Sequence, residues 1–239
     1  MEHHMLRPPI KGFVERSSTD WPGHSCAVVH LPYCNLRCPY CHSHELVLKP
    51  AALESFSFET IIQGLKSKND SIYGICVTGG EPTMHRGLPG LLRTIREAGY
   101  RTKVDTNGTE PEVLEHLIEH RLLDLVAMDV KAPLDEATYE RCAGVFLPVS
   151  IIEKSIEVIT TAGVPHLFRC TVVPSLLAED DIYRLADELK TLVAPHGAPS
   201  LTLQNFDPTD PFEPALKDVE PFTKETLSRM QERVNHILD

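Results

Sequence analysis

Residues 27–42 read AVVHLPYCNLRCPYCH, an apolar run of strand length that leads directly into three cysteines. Cys34, Cys38 and Cys41 form a C-x3-C-x2-C pattern on one short loop. Three thiolates so placed can hold three irons of a [4Fe–4S] cluster and leave the fourth iron open, whereas electron-transfer clusters normally use four cysteines. The pattern therefore favours a cluster with one iron free to bind a ligand.

A structural zinc site is the alternative interpretation of the same thiols. His42 or His44 would then supply the fourth ligand. Zinc sites more often pair a C-x2-C unit with a distant second pair, whereas the three thiols here lie within the eight residues 34–41. The cysteines alone favour a cluster and leave zinc open.

Apolar runs of strand length alternate with longer segments of helical spacing. The predicted strands are 27–31, 74–78, 101–105, 125–130, 166–173 and 200–204. The predicted helices are 58–66, 88–98, 112–119, 151–161, 180–192 and 223–238. Because strands that alternate with helices form βαβ units, we predict an α/β fold: a partial (β/α)6 TIM-like barrel with a parallel sheet.

The composition indicates one globular domain. The chain has 239 residues, and we expect a core over about 24–206 followed by a C-terminal extension, 207–239. Lys plus Arg, 23, minus Asp plus Glu, 34, leaves a net charge of −11, which disfavours a nucleic-acid partner. We find no membrane-length apolar run and no signal peptide, and His3 and His4 read as a disordered polar end rather than a metal pair. Seven cysteines without an export signal indicate reduced thiols, so we expect a cytoplasmic protein.

Polar residues follow the ends of three predicted strands. They are TGGEP at 78–82, DTNG at 105–108 and MDVK at 128–131. Paired glycines let a ligand approach the backbone closely, and Glu81 could accept a hydrogen bond from a ligand ammonium. A single Asp at a strand end is usually a loop cap, but the carboxyl ends of barrel strands converge on one face. Their recurrence therefore predicts one shared site, where a barrel-facing Arg169 would need an anionic partner.

The cysteine spacing, the aromatic Tyr40 and the GGEP segment resemble the radical S-adenosylmethionine superfamily. The DTNG and MDVK segments resemble its glycyl-radical-enzyme activating enzymes. The opening DWPG at 20–23 is most similar to the anaerobic ribonucleoside-triphosphate reductase activating proteins. Two departures concern the partner: His24-Ser25 stand where the pyruvate formate-lyase type usually has an arginine, and its Cys-His-Asn is Cys41-His42-Ser43.

The resemblance implies one [4Fe–4S] cluster on Cys34, Cys38 and Cys41, whose open iron binds S-adenosylmethionine. It assigns contacts with that cofactor to Tyr40, Gly79, Gly80, Glu81, Asp105, Asn107, Lys131 and Arg169, and beside these Gln204 or Asn205, at the end of the sixth predicted strand, could hydrogen-bond the nucleoside. It also implies a K⁺ or Na⁺ site formed by Asp105, Thr106, the Met128 carbonyl and Asp129. The remaining cysteines, Cys26, Cys76, Cys142 and Cys170, are expected to be isolated or buried thiols.

The implied reaction begins when a flavodoxin- or ferredoxin-type donor reduces the cluster. S-adenosylmethionine is then cleaved to methionine and a 5′-deoxyadenosyl radical, which removes a hydrogen atom from a glycine of a partner glycyl-radical enzyme. The resemblance favours anaerobic ribonucleotide reductase as that partner. Two alternatives stay open: a radical enzyme that modifies a small molecule or peptide, and a non-catalytic zinc- or cluster-binding interaction protein.

Overall fold

Seven strands form one open sheet in the part of the chain that the computed structural model describes, residues 7–67 and 72–239. They are β1 (Gly12–Ser17), β2 (Cys26–Leu31), β3 (Gly74–Gly79), β4 (Arg101–Thr106), β5 (Leu125–Asp129), β6 (His166–Val172) and β7 (Leu201–Asn205). The strands lie side by side in chain order. Pairing is parallel from β2 to β7, as predicted for a partial barrel. The His3–His4 pair lies outside the described residues.

The strand count is the one correction to the predicted sheet. Six strands were expected, but β1 adds a seventh strand that pairs antiparallel with β2. Phe13 turns toward the helix side and packs against Phe56, whereas Val14 on the opposite face is exposed. Strand β1 is therefore only half buried, and it lacks the continuous apolar run that marks parallel strands such as β2, β3 and β5.

Eight α-helices accompany the strands in residues 7–67 and 72–239. They are α1 (His44–Leu48), α2 (Phe58–Ser67), α3 (Leu88–Glu97), α4 (Pro111–Glu119), α5 (Glu136–Ala143), α6 (Val149–Thr161), α7 (Glu179–Val193) and α8 (Lys224–Leu238). All six predicted helices are present, and α1 and α5 are additional. The N-cap of α5 is Asp135, which accepts from the Thr138 N–H at 2.9 Å, and its C-cap is the left-handed Gly144. None of the helices so described is both long and apolar enough to cross a membrane.

The two faces of the sheet have different surroundings. Side chains on the helix side, such as Val29 and Val77, belong to the large apolar core. On the inner face, Cys26, Val28, Cys76 and Leu125 form a small separate cluster with Trp21. Side chains alternate between the two faces along a strand. The inner face therefore carries this small apolar cluster near the starts of the strands, and polar side chains occupy the same face at the strand ends.

The edge strand β7 is covered by α8. Gln231 donates from its side-chain amide to the Leu201 carbonyl at 2.8 Å and accepts from the Leu203 N–H at 2.8 Å. Met230 and Val234 of the same helix are fully buried. The end of the chain therefore packs onto the barrel and satisfies backbone groups that an edge strand would otherwise present to solvent.

Candidate active site

A cavity of about 240 Å³ lies at the carboxyl ends of the parallel strands. The three cysteines of the loop line it, together with Tyr40, Gly79, Gly80, Glu81, Asp105, Thr106, Asn107, Asp129, Lys131 and Arg169. Met128 and Gln204 are not among its lining residues. The structure thus brings together residues from the cysteine loop and from four strand ends that are far apart in sequence.

The cysteine loop is held by its own arginine and by α5. The Arg37 guanidinium donates to the carbonyls of Cys34 and Leu36 at 2.7 Å each, and the Arg37 N–H donates to the Ala143 carbonyl at 2.8 Å. Burial raises the pKa of the Cys38 thiol to about 11. The thiol is therefore protonated in the ligand-free chain, and binding of a metal centre to it would release a proton.

The glycine pair packs against the cysteine loop. A Cβ on Gly80 would lie 1.8 Å from the Tyr33 carbonyl oxygen, and one on Gly79 would lie 2.4 Å from the Leu31 carbonyl oxygen. Gly80 donates its N–H to the Leu31 carbonyl at 2.8 Å, and Glu81 donates to the Tyr33 carbonyl at 2.7 Å. Both glycines line the cavity. A side chain at either position is excluded because the end of β2 and the start of the cysteine loop lie against these two residues.

Glu81 ties the end of β3 to the end of β4. Its Oε1 accepts from the Thr83 N–H at 3.0 Å and from the hydroxyls of Thr83 and Thr106 at 2.6 and 2.8 Å. Its Oε2 accepts from the Asn107 N–H at 2.7 Å. Burial raises the pKa of Glu81, and these four hydrogen bonds oppose that rise. The Glu81 carboxylate thus already accepts four hydrogen bonds within the protein. We therefore assign it a structural role first, which is to align the ends of β3 and β4.

Five charged side chains form a continuous chain across the inner face. Lys103 pairs with Asp105, whose other oxygen accepts from Arg169 at 3.1 Å. Arg169 also donates to Asp129 at 2.8 Å, and Asp129 accepts from Lys131 at 3.0 Å. Three cations and two carboxylates leave one positive charge. Arg169 thus has the anionic partners that its position required.

The end of this charge chain at the cavity is Lys131. Burial alone would raise the pKa of Asp129, but the Lys131 ammonium and the Arg169 guanidinium hold it below its ordinary value. Asp129 in turn raises the pKa of Lys131 despite the cost of burying its charge. Both groups are therefore ionised at neutral pH, and Lys131 presents a cation that has one carboxylate partner.

Two predicted site residues, Gln204 for S-adenosylmethionine and Met128 for the cation, do not line the cavity. Gln204 lies on β7 with its side chain exposed, and the neighbouring Asn205 donates to the Phe222 carbonyl at 2.6 Å. Met128 is fully buried beside Gly108. Tyr40 does line the cavity, and its buried hydroxyl has no hydrogen-bond partner within the described residues.

The segment after β7 reaches back to the cysteine loop. Glu213 donates its N–H to the Pro39 carbonyl at 2.8 Å, and Asp210 contacts the His44 imidazole at 3.0 Å. His44 is therefore engaged with a carboxylate rather than directed at the thiols. His42 is exposed and lines the cavity.

The four remaining cysteines are buried and separate from the loop. Burial raises the pKa of Cys26 to about 11 and those of Cys142 and Cys170 to about 12. Cys76 lies beside Asp105 and Lys103 on the inner face, and burial raises its pKa well above the ordinary value. These groups are neutral thiols that pack as small apolar side chains, as expected.

Several residues that support the site were not predicted from the sequence. Lys103 is the clearest, because a lysine two residues before Asp105 in a strand must share its face. Asn35 and Thr109 are the others: Asn35 donates to Thr109 at 2.7 Å, and both bond to Asn107. The spacing of Lys103 and Asp105 in the sequence could have predicted the lysine, whereas Asn35 and Thr109 are far apart in sequence and only the fold brings them together.

The fold and the site together define a class of protein. The model of the radical SAM superfamily matches residues 28–189, which include the cysteine loop and strands β3 to β6. The chain belongs to this superfamily. Its members bind a [4Fe–4S] cluster and S-adenosylmethionine, which agrees with three thiols that share a cavity with polar strand ends.

A candidate glycyl-radical enzyme activating enzyme of Methanocaldococcus jannaschii is similar to nearly the whole chain. The two sequences are 31% identical over 231 residues, which covers 94% of this chain and 90% of that protein. A shorter match, 35% identical over 83 residues, links the chain to 7-carboxy-7-deazaguanine synthase of Aquifex aeolicus and covers 34% of this chain and 35% of that enzyme.

Two solved structures share the fold. SuiB of Streptococcus suis bound to its precursor peptide aligns with a TM-score of 0.62 at 17% identity, over 85% of this chain and 43% of SuiB. TYW1 with a lysine-pyruvate adduct aligns with a TM-score of 0.60 at 14% identity, over 88% of this chain and 73% of TYW1. The chain thus spans less than half of SuiB, and at these identities the likeness concerns the fold alone.

Proposed function

We propose that the chain activates a glycyl-radical enzyme by reductive cleavage of S-adenosylmethionine, and that anaerobic ribonucleoside-triphosphate reductase is its partner. The observation that carries the proposal is the single cavity shared by three loop thiols and by the polar ends of β3 to β6. The similarity to the Methanocaldococcus jannaschii protein over 94% of the chain supports the glycyl-radical class. A flavodoxin- or ferredoxin-type protein would supply the electron.

The donor set fits the proposed cofactors. Cys34, Cys38 and Cys41 would hold three irons of a [4Fe–4S] cluster, which supplies one-electron reduction of the bound sulfonium. Lys131 supplies a cation for the ligand carboxylate at the end of a charge chain that carries one excess positive charge. The buried hydroxyl of Tyr40, which has no hydrogen-bond partner among residues 7–67 and 72–239, is a further candidate contact for the ligand.

The protein's own part is to position the ligand. Glu81 fixes the end of β3 against that of β4, and Arg169 ties β4, β5 and β6 together through Asp105 and Asp129. The polar groups that face the cavity are therefore held before a ligand arrives. Such preorganisation lowers the entropic cost of bringing the reacting groups together.

A lateral opening supports a macromolecular hydrogen donor. Leu201 and Leu203 of β7 face the helix side and are buried, so Thr202 and Gln204 face inward, and both are exposed. Val14 on the opposite edge strand β1 is also exposed. The inner face of the sheet is thus open between its two edges, where a loop of another protein could enter.

We keep the monovalent cation as a second, separable proposal. Its ligands would be Asp105, Thr106, Asp129 and the Met128 carbonyl. In the described contacts, both carboxylates are already paired with Arg169 and with a lysine, so a K⁺ or Na⁺ ion would have to share their oxygens with these cations or displace them. Cleavage of S-adenosylmethionine that does not respond to exchange of K⁺ or Na⁺ for a large organic cation at constant ionic strength refutes this site.

The cofactor assignment is tested with anaerobically reconstituted protein. Wild type should bind about four irons per chain and convert S-adenosylmethionine to 5′-deoxyadenosine with a chemical reductant. Cys38→Ala should lose both properties, whereas Cys26→Ala, at the opposite end of the barrel, should keep them. A colourless protein that binds stoichiometric zinc would refute the radical reaction and support the zinc alternative.

The partner is tested in a second experiment. Reconstituted protein, S-adenosylmethionine and reductant are mixed with anaerobic ribonucleoside-triphosphate reductase, and the glycyl radical is measured by electron paramagnetic resonance. The expected result is a glycyl signal that requires the activator and disappears with Cys38→Ala. Cleavage of S-adenosylmethionine without any glycyl signal would point to a small molecule or a peptide as substrate.

A further inference from the structure

We infer that Asn107 is a positioning residue that donates a hydrogen bond to the Cys34 sulfur and thereby makes a cluster on that loop easier to reduce. This inference rests on the proposed function, because it concerns the cluster that the loop would hold. It gives Asn107 a role distinct from contact with S-adenosylmethionine. The observation behind it is the position of Asn107 Nδ2, 3.7 Å from Cys34 Sγ.

The neighbours of Asn107 fix which end of its amide faces the sulfur. Its Oδ1 accepts from the Thr109 N–H at 3.0 Å and from the Thr109 hydroxyl at 2.7 Å. The opposite end, Nδ2, donates to Asn35 Oδ1 at 3.0 Å, and Asn35 Nδ2 donates to the Thr109 hydroxyl oxygen at 2.7 Å. The side chains of Asn107, Asn35 and Thr109 thus form a closed ring of hydrogen bonds in which every donor meets an acceptor. The second hydrogen on Asn107 Nδ2 is not used in this ring and is directed at Cys34.

The backbone around this ring is also fixed. The Asn107 N–H donates to Glu81 Oε2 at 2.7 Å, which anchors the residue to the end of β3. The Leu36 N–H donates to the same sulfur of Cys34 at 3.4 Å. Within the described residues, Cys34 is the loop cysteine whose sulfur receives a side-chain N–H. The three thiols are therefore unequal, and Cys34 has the most strongly polarised surroundings.

A donor at a ligating sulfur favours the reduced state of an iron–sulfur cluster. Reduction adds negative charge to the cluster and its thiolates, and a hydrogen bond is stronger when its acceptor carries more charge. Hydrogen bonds to the sulfurs are among the factors that set cluster reduction potentials. Asn107 should therefore raise the potential, and its removal should make electron entry from a donor of given potential harder.

The test measures the reduction potential of the reconstituted cluster without S-adenosylmethionine. Wild type and Asn107→Ala are titrated with a potentiometric mediator set, and reduced cluster is quantified by electron paramagnetic resonance. We expect the ratio of reduced to oxidised cluster at a fixed potential to fall roughly three- to tenfold in Asn107→Ala, where tenfold corresponds to about 59 mV for one electron. Equal potentials in both proteins would overturn the inference.

A charge-matched pair separates the lost donor from a general electrostatic effect. Asn107→Asp and Asn35→Asp each add one carboxylate beside Cys34, but only the former removes the N–H that faces the sulfur. Asn107→Asp should have the lower potential, and equal values would refute the donor role even if Asn107→Ala failed to hold a cluster. A wild-type protein that binds no cluster would instead refute the proposed function itself.

Discussion

Gly80→Ala tests whether the glycine pair serves contact with the cysteine loop. A Cβ at this position would lie 1.8 Å from the Tyr33 carbonyl oxygen and 2.5 Å from the Tyr33 carbonyl carbon. Both are backbone atoms, so no rotamer change relieves the contact. Because non-bonded carbon atoms prefer separations of about 3.5–4.0 Å, the turn and the loop must move apart by roughly 1 Å or more.

The cost follows from that displacement. The two hydrogen bonds between the segments, Gly80 N–H to Leu31 and Glu81 N–H to Tyr33, have lengths of 2.8 and 2.7 Å and leave little slack. Each contributes about 0.5–1.5 kcal/mol, and overpacking costs about 1–3 kcal/mol, so we expect the free energy of unfolding to fall by about 2–6 kcal/mol.

The assay is denaturant unfolding of the reduced, metal-free protein, followed by measurement of bound iron after reconstitution. Gly64→Ala is the matched control, because Gly64 lies in α2 with no atom within 4 Å of an added Cβ. Alanine there should stabilise the helix by up to about 1 kcal/mol. A Gly80→Ala protein within about 0.5 kcal/mol of wild type that also binds a full complement of iron would refute the packing argument.

Three further predictions concern charge, thiols and the sheet edge. Because the pKa of Asp129 lies below its ordinary value, its contribution to stability is present at neutral pH and disappears as pH falls through that pKa. The difference in free energy of unfolding between wild type and Asp129→Asn should therefore shrink with acid, and a difference that grows toward low pH would contradict the pairing. Iodoacetamide at mildly alkaline pH should modify Cys41 of the folded, metal-free chain before Cys142, because burial raises the pKa of Cys142 to about 12. Equal rates of modification of the two thiols, measured by mass spectrometry, would show that Cys142 is accessible. Gln231→Leu should lower the free energy of unfolding by about 1–3 kcal/mol, whereas the exposed Gln63→Leu should stay within about 0.5 kcal/mol of wild type; equal effects in denaturant unfolding would mean that Gln231 does not satisfy the edge.

Local patterns were sufficient for the parallel strands and for most helices. Strands such as β2, β3 and β5 are short apolar runs, and the partners of each parallel strand follow from chain order, so alternation with helices predicts their arrangement. Strand β1 was not predicted because it is short of apolar residues: only Phe13 and Val14 of its six are hydrophobic, and the strand is half buried. Helix α5 also escaped, although Asp135 and Gly144 at its two ends are typical cap residues. In both cases the missing signal was apolar content rather than boundary chemistry.

The site was less accessible to sequence reasoning than the fold. Strand ends predicted which segments meet, but they did not indicate that Asp105 and Asp129 would each pair with Arg169. That pairing depends on register, because Asp129 is opposite Arg169 and the small Ala127 is opposite Asp105. Gln204 shows the converse limit: alternation along β7 turns its side chain to the inner face of the sheet, as expected, but the side chain is exposed there and does not line the cavity.

The contact of Gln231 with β7 would affect how a bound partner dissociates from the protein. An unpaired strand edge recruits other chains as additional strands, and an added strand would make a guest segment part of the host sheet. Here the Leu203 N–H and the Leu201 carbonyl are already bonded to a side chain of α8. A visiting loop at this edge could thus be held by side-chain contacts alone and could leave again, which the proposed activation of successive partner molecules would require.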